Sequence, residues 1–369
     1  MIRSITELTE KELSGKKVLL RVDFNVPVLN GEISEYHRIK AVQETINYLL
    51  NRNAIVALLS HITAIKSFEP IFVKIKETIG KDLKFLSDCV GNVLKENLSQ
   101  ANPGDIFLLE NVRQYDGEEN NDEKFAEKLA KSFDIYINDA FAESHRNYAS
   151  MAAITKFLPS YAGFLLMKEI RNLTKAIETP KDGKTLILGG AKISTKFPVI
   201  KNFLDKSENI LIGGAVANVF LKAEGVDIKK SLTDDKFLDD ASNLINSSGN
   251  LIIPEDYIIS DFDEMILDIG PKATEKFLEI IKNSRMIIWN GPLGKAEIEK
   301  FSYSSKKIAE AIISSNAFSV VGGGDTIAFI EKIGLIDKFS YISTGGGAML
   351  EFLAGNKLPG LETLDYYSA

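Results

Sequence analysis

Apolar residues in this chain come as short unbroken runs, not as strict alternation. The first half offers Val18–Val22, Ile55–Leu59, Leu83–Leu86, Ile106–Leu109 and Ile135–Ile137; the second offers Thr185–Leu188, Ile210–Ile212, Leu251–Ile253, Met286–Trp289, Ser319–Val321 and Tyr341–Ser343. Between them lie segments such as Arg38–Asn51, Asp122–Ser132 and Ser304–Ser314, whose apolar residues recur at three- and four-residue spacing, the period of a helix. A strand that is apolar on both faces is buried on both, which means parallel sheets covered by helices. The pattern predicts an α/β protein of two doubly wound, Rossmann-like domains. The expected boundaries are a first domain over 1–156, a connector helix over 157–175 and a second domain over 176–356. The connector, FLPSYAGFLLMKEIRNL and its flanks, carries a proline and a glycine ahead of a helical pattern.

The residues just past each strand differ between the halves. In the second half they are glycines: TLILGGAK from Thr185, NILIGGAVAN from Asn209, FSVVGGGDT from Phe318 and YISTGGGAM from Tyr341. In the first half they are cations, amides and carboxylates: VLLRVDFN from Val18, VALLSHI from Val56, IFLLENVR from Ile106 and IYINDAFAESHR from Ile135. Ligands of open parallel sheets bind outside the carboxyl ends of the strands. One half is thus suited to letting backbone approach a phosphate chain, the other to gripping a small anion by side chains. Two unlike sites on one chain suggest group transfer between two substrates.

Composition narrows the field. The 369 residues leave room for two real cores, and a net charge of -7 argues against a nucleic-acid partner. The single cysteine, Cys89, allows no internal disulfide and fits a reducing, cytoplasmic setting. The most apolar stretch, Tyr148–Leu166, is interrupted by Lys156 and Pro159, so no membrane partner is expected.

The candidate chemistry sits at the strand ends. Gly322-Gly323-Gly324-Asp325-Thr326 comes after a strand and opens a helix, where backbone N–H groups and the helix dipole favour an anion. Asp325 there reads as a carboxylate for Mg²⁺ on bound phosphates; the ordinary alternative is a helix N-cap. Lys192 and Lys196, four residues apart after Gly189-Gly190, would share one helical face that suits a polyphosphate; the ordinary alternative for a lone lysine pair is a solvated helix surface. Glu297 could accept hydrogen bonds from ribose hydroxyls, and Trp289 reads as core. In the first half Arg38, Arg113 and Arg146 lie in or beside loops that could converge, each alternatively a surface ion pair. His61, directly after a strand, suits hydrogen bonding to substrate, whereas His37 could be an exposed loop residue. Asp23 and Asn25 supply further polar groups. The histidines lack zinc spacing, and no G-x-G-x-x-G occurs at these turns, which opposes a nicotinamide dehydrogenase. Gly183-Lys184-Thr185 imitates the end of a P-loop but precedes its strand.

Taken in order, these segments resemble the phosphoglycerate kinase family. The matching motifs are RVDFNVP (Arg21 to Pro27), LLENVR (Leu108 to Arg113), NDAF (Asn138 to Phe141), GGAK (Gly189 to Lys192), LDIGP (Leu267 to Pro271), WNGP (Trp289 to Pro292), VGGGDT (Val321 to Thr326), STGGGA (Ser343 to Ala348) and LPGLETL (Leu358 to Leu364). The resemblance covers essentially the whole chain. It implies a monomeric, hinge-bending cytoplasmic enzyme of glycolysis. That enzyme moves a phosphoryl group reversibly between ATP and the carboxylate of 3-phosphoglycerate, giving ADP and 1,3-bisphosphoglycerate, with Mg²⁺ as cofactor. It further implies that Asp23, Asn25, Arg38, His61, Arg113 and Arg146 hold 3-phosphoglycerate. Lys192, Lys196, Gly213, Gly214, Asn290, Glu297, Gly323, Gly324, Asp325 and Thr326 then belong to the nucleotide, Asp325 to the metal, and the tail 357–369 packs back on the first domain. Arg38 and Lys196 are the expected catalytic cations.

The departures from the family pattern are local. Its histidine, leucine, glycine, arginine, proline run is here His61-Ile62-Thr63-Ala64-Ile65, so Ala64 replaces an arginine in a shortened loop, with Lys66 as a candidate substitute. His37 stands where threonine is usual, Ala215 for a third glycine, and Lys295-Ala296 for an apolar pair. The stretch between Pro254 and Leu267 is expected to lack the family's usual hairpin. The rival reading is a catalytically weak relative that binds nucleotide or a phosphorylated ligand. Against it stand Asp325, Lys196 and Arg38, all present.

Overall fold

The computed structural model describes residues 2–367; Met1, Ser368 and Ala369, at the outer limits of the expected first domain and tail, lie outside the described residues. The chain divides into two units. One holds the described residues up to Ile170 and those from Lys357 onward, and the other is Arg171–Asn356.

The first unit contains strands β1 (Lys17–Arg21), β2 (Val28–Leu29), β3 (Glu32–Ile33), β4 (Ile55–Leu59), β5 (Leu83–Leu86), β6 (Ile106–Leu109), β7 (Ile135–Asn138) and β8 (Ser160–Ala162). Six of them form a parallel sheet in the order β5-β6-β4-β1-β7-β8, and β2 and β3 make a separate short hairpin. The apolar character of the central strands β1, β4, β6 and β7 reflects burial on both faces. Val18, Leu20, Val56, Leu58, Leu108 and Ile137 pack into one core, while Leu19, Ala57, Leu59, Phe107, Leu109 and Tyr136 pack into another on the opposite face. Each such side chain withdrawn from water contributes about 1.5–3 kcal/mol before entropy is counted.

The second unit contains β9 (Lys184–Leu188), β10 (Asn209–Ile212), β11 (Leu251–Ile252), β12 (Tyr257–Ile259), β13 (Ile266–Ile269), β14 (Met286–Asn290), β15 (Phe318–Gly322) and β16 (Tyr341–Ile342). Its parallel sheet runs β11-β10-β9-β14-β15-β16, the 3-2-1-4-5-6 order of a dinucleotide-binding fold when only sheet strands are counted. Among the described residues no helix is long and apolar enough to cross a membrane.

Both sheets reverse direction at their first strand. Arg21 at the end of β1 lies beside Leu59 of β4 and Asn138 of β7, so three strands finish level. In the second unit Asn290 of β14 likewise lies beside Leu188 of β9 and Gly322 of β15. These level ends at the reversals are where open α/β sheets present crevices.

Several elements differ from the sequence expectation. Pro254–Leu267 does carry a hairpin: β12 pairs antiparallel with β13, Tyr257 opposite Ile269. Its first strand, β12, is three half-buried or exposed residues outside the main sheet, so it leaves no apolar run to notice. The expected connector begins with strand β8, which pairs parallel with β7, and its helix runs Phe164–Glu178. The segment Arg38–Asn51 is two helices, His37–Ala41 and Gln43–Leu50, interrupted at Val42. The carboxyl-terminal segment joins the first unit through hydrogen bonds from the Gly360 amide to the Ser144 carbonyl (2.9 Å) and from Thr363 Oγ1 to the Met151 carbonyl (3.4 Å).

Candidate functional site

In the first unit the site is built around a guanidinium with no exposed surface. Arg21 donates from Nε to Ser150 Oγ (2.9 Å) and from Nη1 to the carbonyls of Val22 and Leu59, while Nη2 lies 3.3 Å from His61 Nδ1. A guanidinium can only donate, so His61 Nδ1 accepts and the neutral ring carries its proton on Nε2. Burial, then the fields of Arg21, Arg113, Arg38 and Arg146, hold the His61 pKa far below its ordinary value. The ring is therefore a neutral donor, aimed at Glu143 Oε1 3.7 Å away.

The neighbouring side chains interleave arginines with carboxylates. Arg38 Nη1 donates to Asp23 Oδ2 (2.9 Å) and to the Asn25 carbonyl (3.1 Å), and Asp23 is the leading reason the Arg38 pKa is raised. Asp23 Oδ1 accepts from the Asn25 amide (3.0 Å), and Asn25 Oδ1 accepts from Thr63 N (3.0 Å) and Thr63 Oγ1 (2.9 Å). Arg113, in the short turn after β6, donates to Glu143 Oε2 (3.3 Å) and pairs through Nε with Glu119 (3.2 Å). Arg146 is exposed and acts on His61 and Glu143 through its charge. The six residues expected to hold the acceptor thus gather at the ends of β1, β4, β6 and β7. Ala64 is exposed in the same region, in a loop pinned by Asn111, whose Nδ2 donates to the carbonyls of Ile62 (2.8 Å) and Lys66 (3.1 Å). His37 is half-buried at the start of its helix, not in a loop.

Asp23, His61 and Glu143 also bring ligand-type atoms within 4.8 Å of one another. They do not suit a metal, because Arg21 commits His61 to the tautomer with a proton on Nε2 and four arginines surround the group. The arrangement suits an anion. Glu143 escaped the sequence reading, although it sits inside the marked IYINDAFAESHR segment three residues before Arg146. Its contact with Arg113 is set by the fold and has no sequence signature.

In the second unit the strand ends bring backbone against backbone. The Gly190 amide donates to the Pro292 carbonyl (2.7 Å) and the Gly214 amide to that of Leu293 (2.8 Å). Gly214 has φ +57°, and a Cβ there would lie 2.6 Å from the Gly190 nitrogen, so only glycine fits. Gly323 has φ +97° and packs over the Asn290 amide, where a Cβ would lie 3.1 Å from Nδ2. Three helices start at these turns: Ile193–Phe203 after Lys192, Gly214–Ala223 after Gly213, and Gly324–Lys332 after Gly323. None has a side-chain cap; the Gly214–Ala223 helix turns its Gly214 and Val216 amides to the Leu293 and Gly190 carbonyls, so the starts at Ile193 and Gly324 are the ones suited to an anion. A cavity of about 240 Å³ opens beside them, lined by Gly190, Gly214, Leu232, Leu293, Glu297 and Asp325 among others.

Asp325 is exposed at the second position of its helix while Gly323 occupies the cap, so the N-cap alternative does not hold. Lys196 is buried, and its Nζ lies 3.6 Å from where a Gly190 side chain would begin. Burial brings its pKa down to about 8, opposed by Asp325 and reinforced by Lys192. The expectation that Lys192 and Lys196 share a helical face fails: Lys192 precedes the helix with ψ 91° and is exposed. The Thr326 hydroxyl is buried and accepts from the Gly291 amide (2.8 Å), which ties the turn together. Trp289 is core, and Lys184 is buried in β9 with Nζ donating to the Ile177 carbonyl (2.7 Å), far from P-loop geometry. The apolar wall made by Leu221, Leu232 and Pro254 was missed, because its residues come from three separate segments.

An anion-gripping pocket in one α/β unit and a glycine-turn cleft in the other define a two-substrate phosphotransferase. Comparison makes this specific. The profile described as phosphoglycerate kinase matches residues 8–356. The phosphoglycerate kinase of Dictyoglomus turgidum is 43% identical over 98% of each chain, and that of Finegoldia magna 41% identical over 97% of this chain and 98% of its own. Among solved structures, phosphoglycerate kinase from Pyrococcus horikoshii has a TM-score of 0.90 at 32% identity, and that from Coxiella burnetii 0.85 at 34%, each covering all of both chains. The chain belongs to the phosphoglycerate kinase family.

The His61 assignment is open to a direct check. In ¹⁵N-labelled protein, His61 should show an unprotonated Nδ1 and no titration between pH 5 and 8. A His61 resonance titrating near its ordinary midpoint of about 6.5 would contradict the Arg21-held tautomer.

Proposed function

We propose that the protein transfers a phosphoryl group reversibly between ATP and the carboxylate of 3-phosphoglycerate, forming ADP and 1,3-bisphosphoglycerate. The observation that carries this reading is the pairing of opposite designs, an arginine-ringed pocket in one unit and three uncapped helix starts at glycine turns in the other. In the forward step a carboxylate oxygen of the acceptor attacks the γ-phosphorus while its bond to the ADP oxygen breaks. Little covalent chemistry is asked of the protein, so catalysis rests on in-line positioning and charge neutralisation.

On this reading Asp23, Asn25, Arg38, His61, Arg113 and Arg146 orient the acceptor, with Nε2–H of His61 donating to it. Gly213 and Gly214 let the backbone come close to the phosphates, Gly323 and Gly324 open a helix N-terminus toward them, Glu297 meets the ribose, and Lys192, Asn290 and Thr326 support the phosphate side. Arg38 and Lys196 neutralise charge on the moving group. Mg²⁺ fits the exposed Asp325 carboxylate, which makes no ion pair within the described residues, and when bound it would neutralise phosphate charge there. Transfer needs reacting atoms within about 3–3.5 Å and water excluded. Because each unit supplies only one of the two sets, turnover requires the sets to be brought together by hinge bending. One chain carries both sets, so a monomer suffices. The buried lone Cys89 suits a cytoplasmic enzyme.

A coupled assay with ATP, Mg²⁺ and 3-phosphoglycerate tests the reading. Turnover should require a divalent metal, and Asp325→Ala should remove most of it. A folded variant with unchanged rate and metal dependence would remove Asp325 from the account, and absence of turnover in the parent protein would remove the proposed activity.

Lys196 gives a pH signature. Its pKa is lowered to about 8, so the cation is present below that pH and is lost as pH rises through it. The kcat/KM for ATP should therefore fall on the alkaline side with a midpoint near pH 8 in the free enzyme. Lys196→Arg should move that limb upward, and Lys196→Ala should lower kcat far more than it raises KM. A limb that stays in place in the arginine variant would assign it to another group.

A further inference from the structure

The donors that an acceptor anion would use in the first unit already hold a carboxylate of the protein itself. Glu143 ends the short turn Phe141–Glu143 after β7, with Oε2 3.3 Å from Arg113 Nη2 and Oε1 3.7 Å from His61 Nε2. We infer that Glu143 is an internal occupant of the acceptor pocket, a competitor that substrate must displace from Arg113 and His61 before it can bind. This rests on the acceptor reading proposed above and adds a residue that sets the affinity of that pocket.

Three observations support it. Arg113 has two carboxylate partners, but they are unlike: the Glu119 side chain is 57% exposed and can turn to solvent, whereas that of Glu143 is 9% exposed and cannot. His61 Nε2 carries the ring's proton and, although fully buried, makes no hydrogen bond in the structure, so Glu143 occupies its direction without satisfying it. Ala64 brings no charge to the pocket, and of the arginines around His61 it is Arg113 that hydrogen-bonds Glu143.

The cost of displacement is a buried carboxylate left beside an incoming anion. The charged and titratable groups facing Glu143 are Asp23 and Arg21 around β1, Arg38 on its helix, the neutral His61 after β4, Arg113 after β6 and Arg146 on its own segment. Burial and then Asp23 push the Glu143 pKa up to about 7, against the three arginines Arg21, Arg113 and Arg146. A second anion among the same cations raises it further. Substrate binding near neutral pH is thus accompanied by proton uptake at Glu143, and affinity weakens as pH rises through this range. Glutamine at this position imitates the protonated acid and removes the competing charge.

Calorimetric titration of 3-phosphoglycerate into the full chain tests this, in two buffers of different ionisation enthalpy at pH near 7.5. Relative to the parent protein, Glu143→Gln should bind about three- to tenfold more tightly and take up fewer protons. Glu143→Ala serves if the glutamine variant melts early, and ATP titration of the same samples is the internal control. A residue that merely packed the turn would weaken binding when replaced. Equal or weaker binding by folded variants, with proton uptake unchanged, overturns the inference while leaving the acceptor reading intact. Failure of the parent protein to bind 3-phosphoglycerate while it still binds ATP overturns both.

Discussion

The first unit depends on keeping one positive charge out of water. Arg21 has no exposed surface, and an unpaired guanidinium at such depth would be prohibitively costly. Its protons reach Ser150, two main-chain carbonyls and His61. Ser150 in turn donates from Oγ and N to the buried carboxylate of Glu118 (2.6 and 2.9 Å), so cation and anion are linked through one hydroxyl. This chain locks the end of β1 to β4 and fixes which nitrogen of His61 carries a proton. The His61 donor is thus set by a guanidinium held wholly inside the protein.

The second unit solves a different problem with almost no charge. Its turns approach so closely that Gly214 and Gly291 face the backbone of Gly189 and Gly190 directly, and helix starts are left without side-chain caps. The helix N-termini at Ile193 and Gly324 present partial positive charge, to which phosphate oxygens are well matched. The two units share a six-stranded parallel α/β architecture and a reversal at the first strand, although their strand orders differ, yet one presents side chains and the other main chain. That contrast lies in the residues at and just beyond the carboxyl ends of the strands.

Much of this was legible in the residues. Strands β4 and β6 fall where the apolar runs lie, because burial on both faces leaves no alternation to confuse them with; β5 also falls where expected, although Lys84 in it is exposed. Elements outside that rule were not legible. The β12–β13 hairpin stands apart from the main sheet with half-exposed strands, and β8 is a three-residue edge hidden in a segment that reads as helix. Of the site, Asp23, Asn25, His61 and Arg113 could be marked because they follow closely on strand ends, whereas Arg38 sits on the helix His37–Ala41 and joins them through Asp23. The pairing of Glu143 with Arg113 could not, since thirty residues separate them in the chain and only the sheet order brings them together.

The central claim is that each substrate is bound by a different unit through these strand ends. Hydrogen–deuterium exchange with one ligand at a time tests it most directly. With 3-phosphoglycerate alone, protection should appear around Asp23–Asn25, His61–Lys66, Arg113 and Phe141–Arg146. With a non-hydrolysable ATP analogue and Mg²⁺, it should appear around Gly189–Lys196, Gly213–Ala217, Leu293–Glu297 and Gly323–Thr326. Protection of one and the same unit by both ligands would contradict the account.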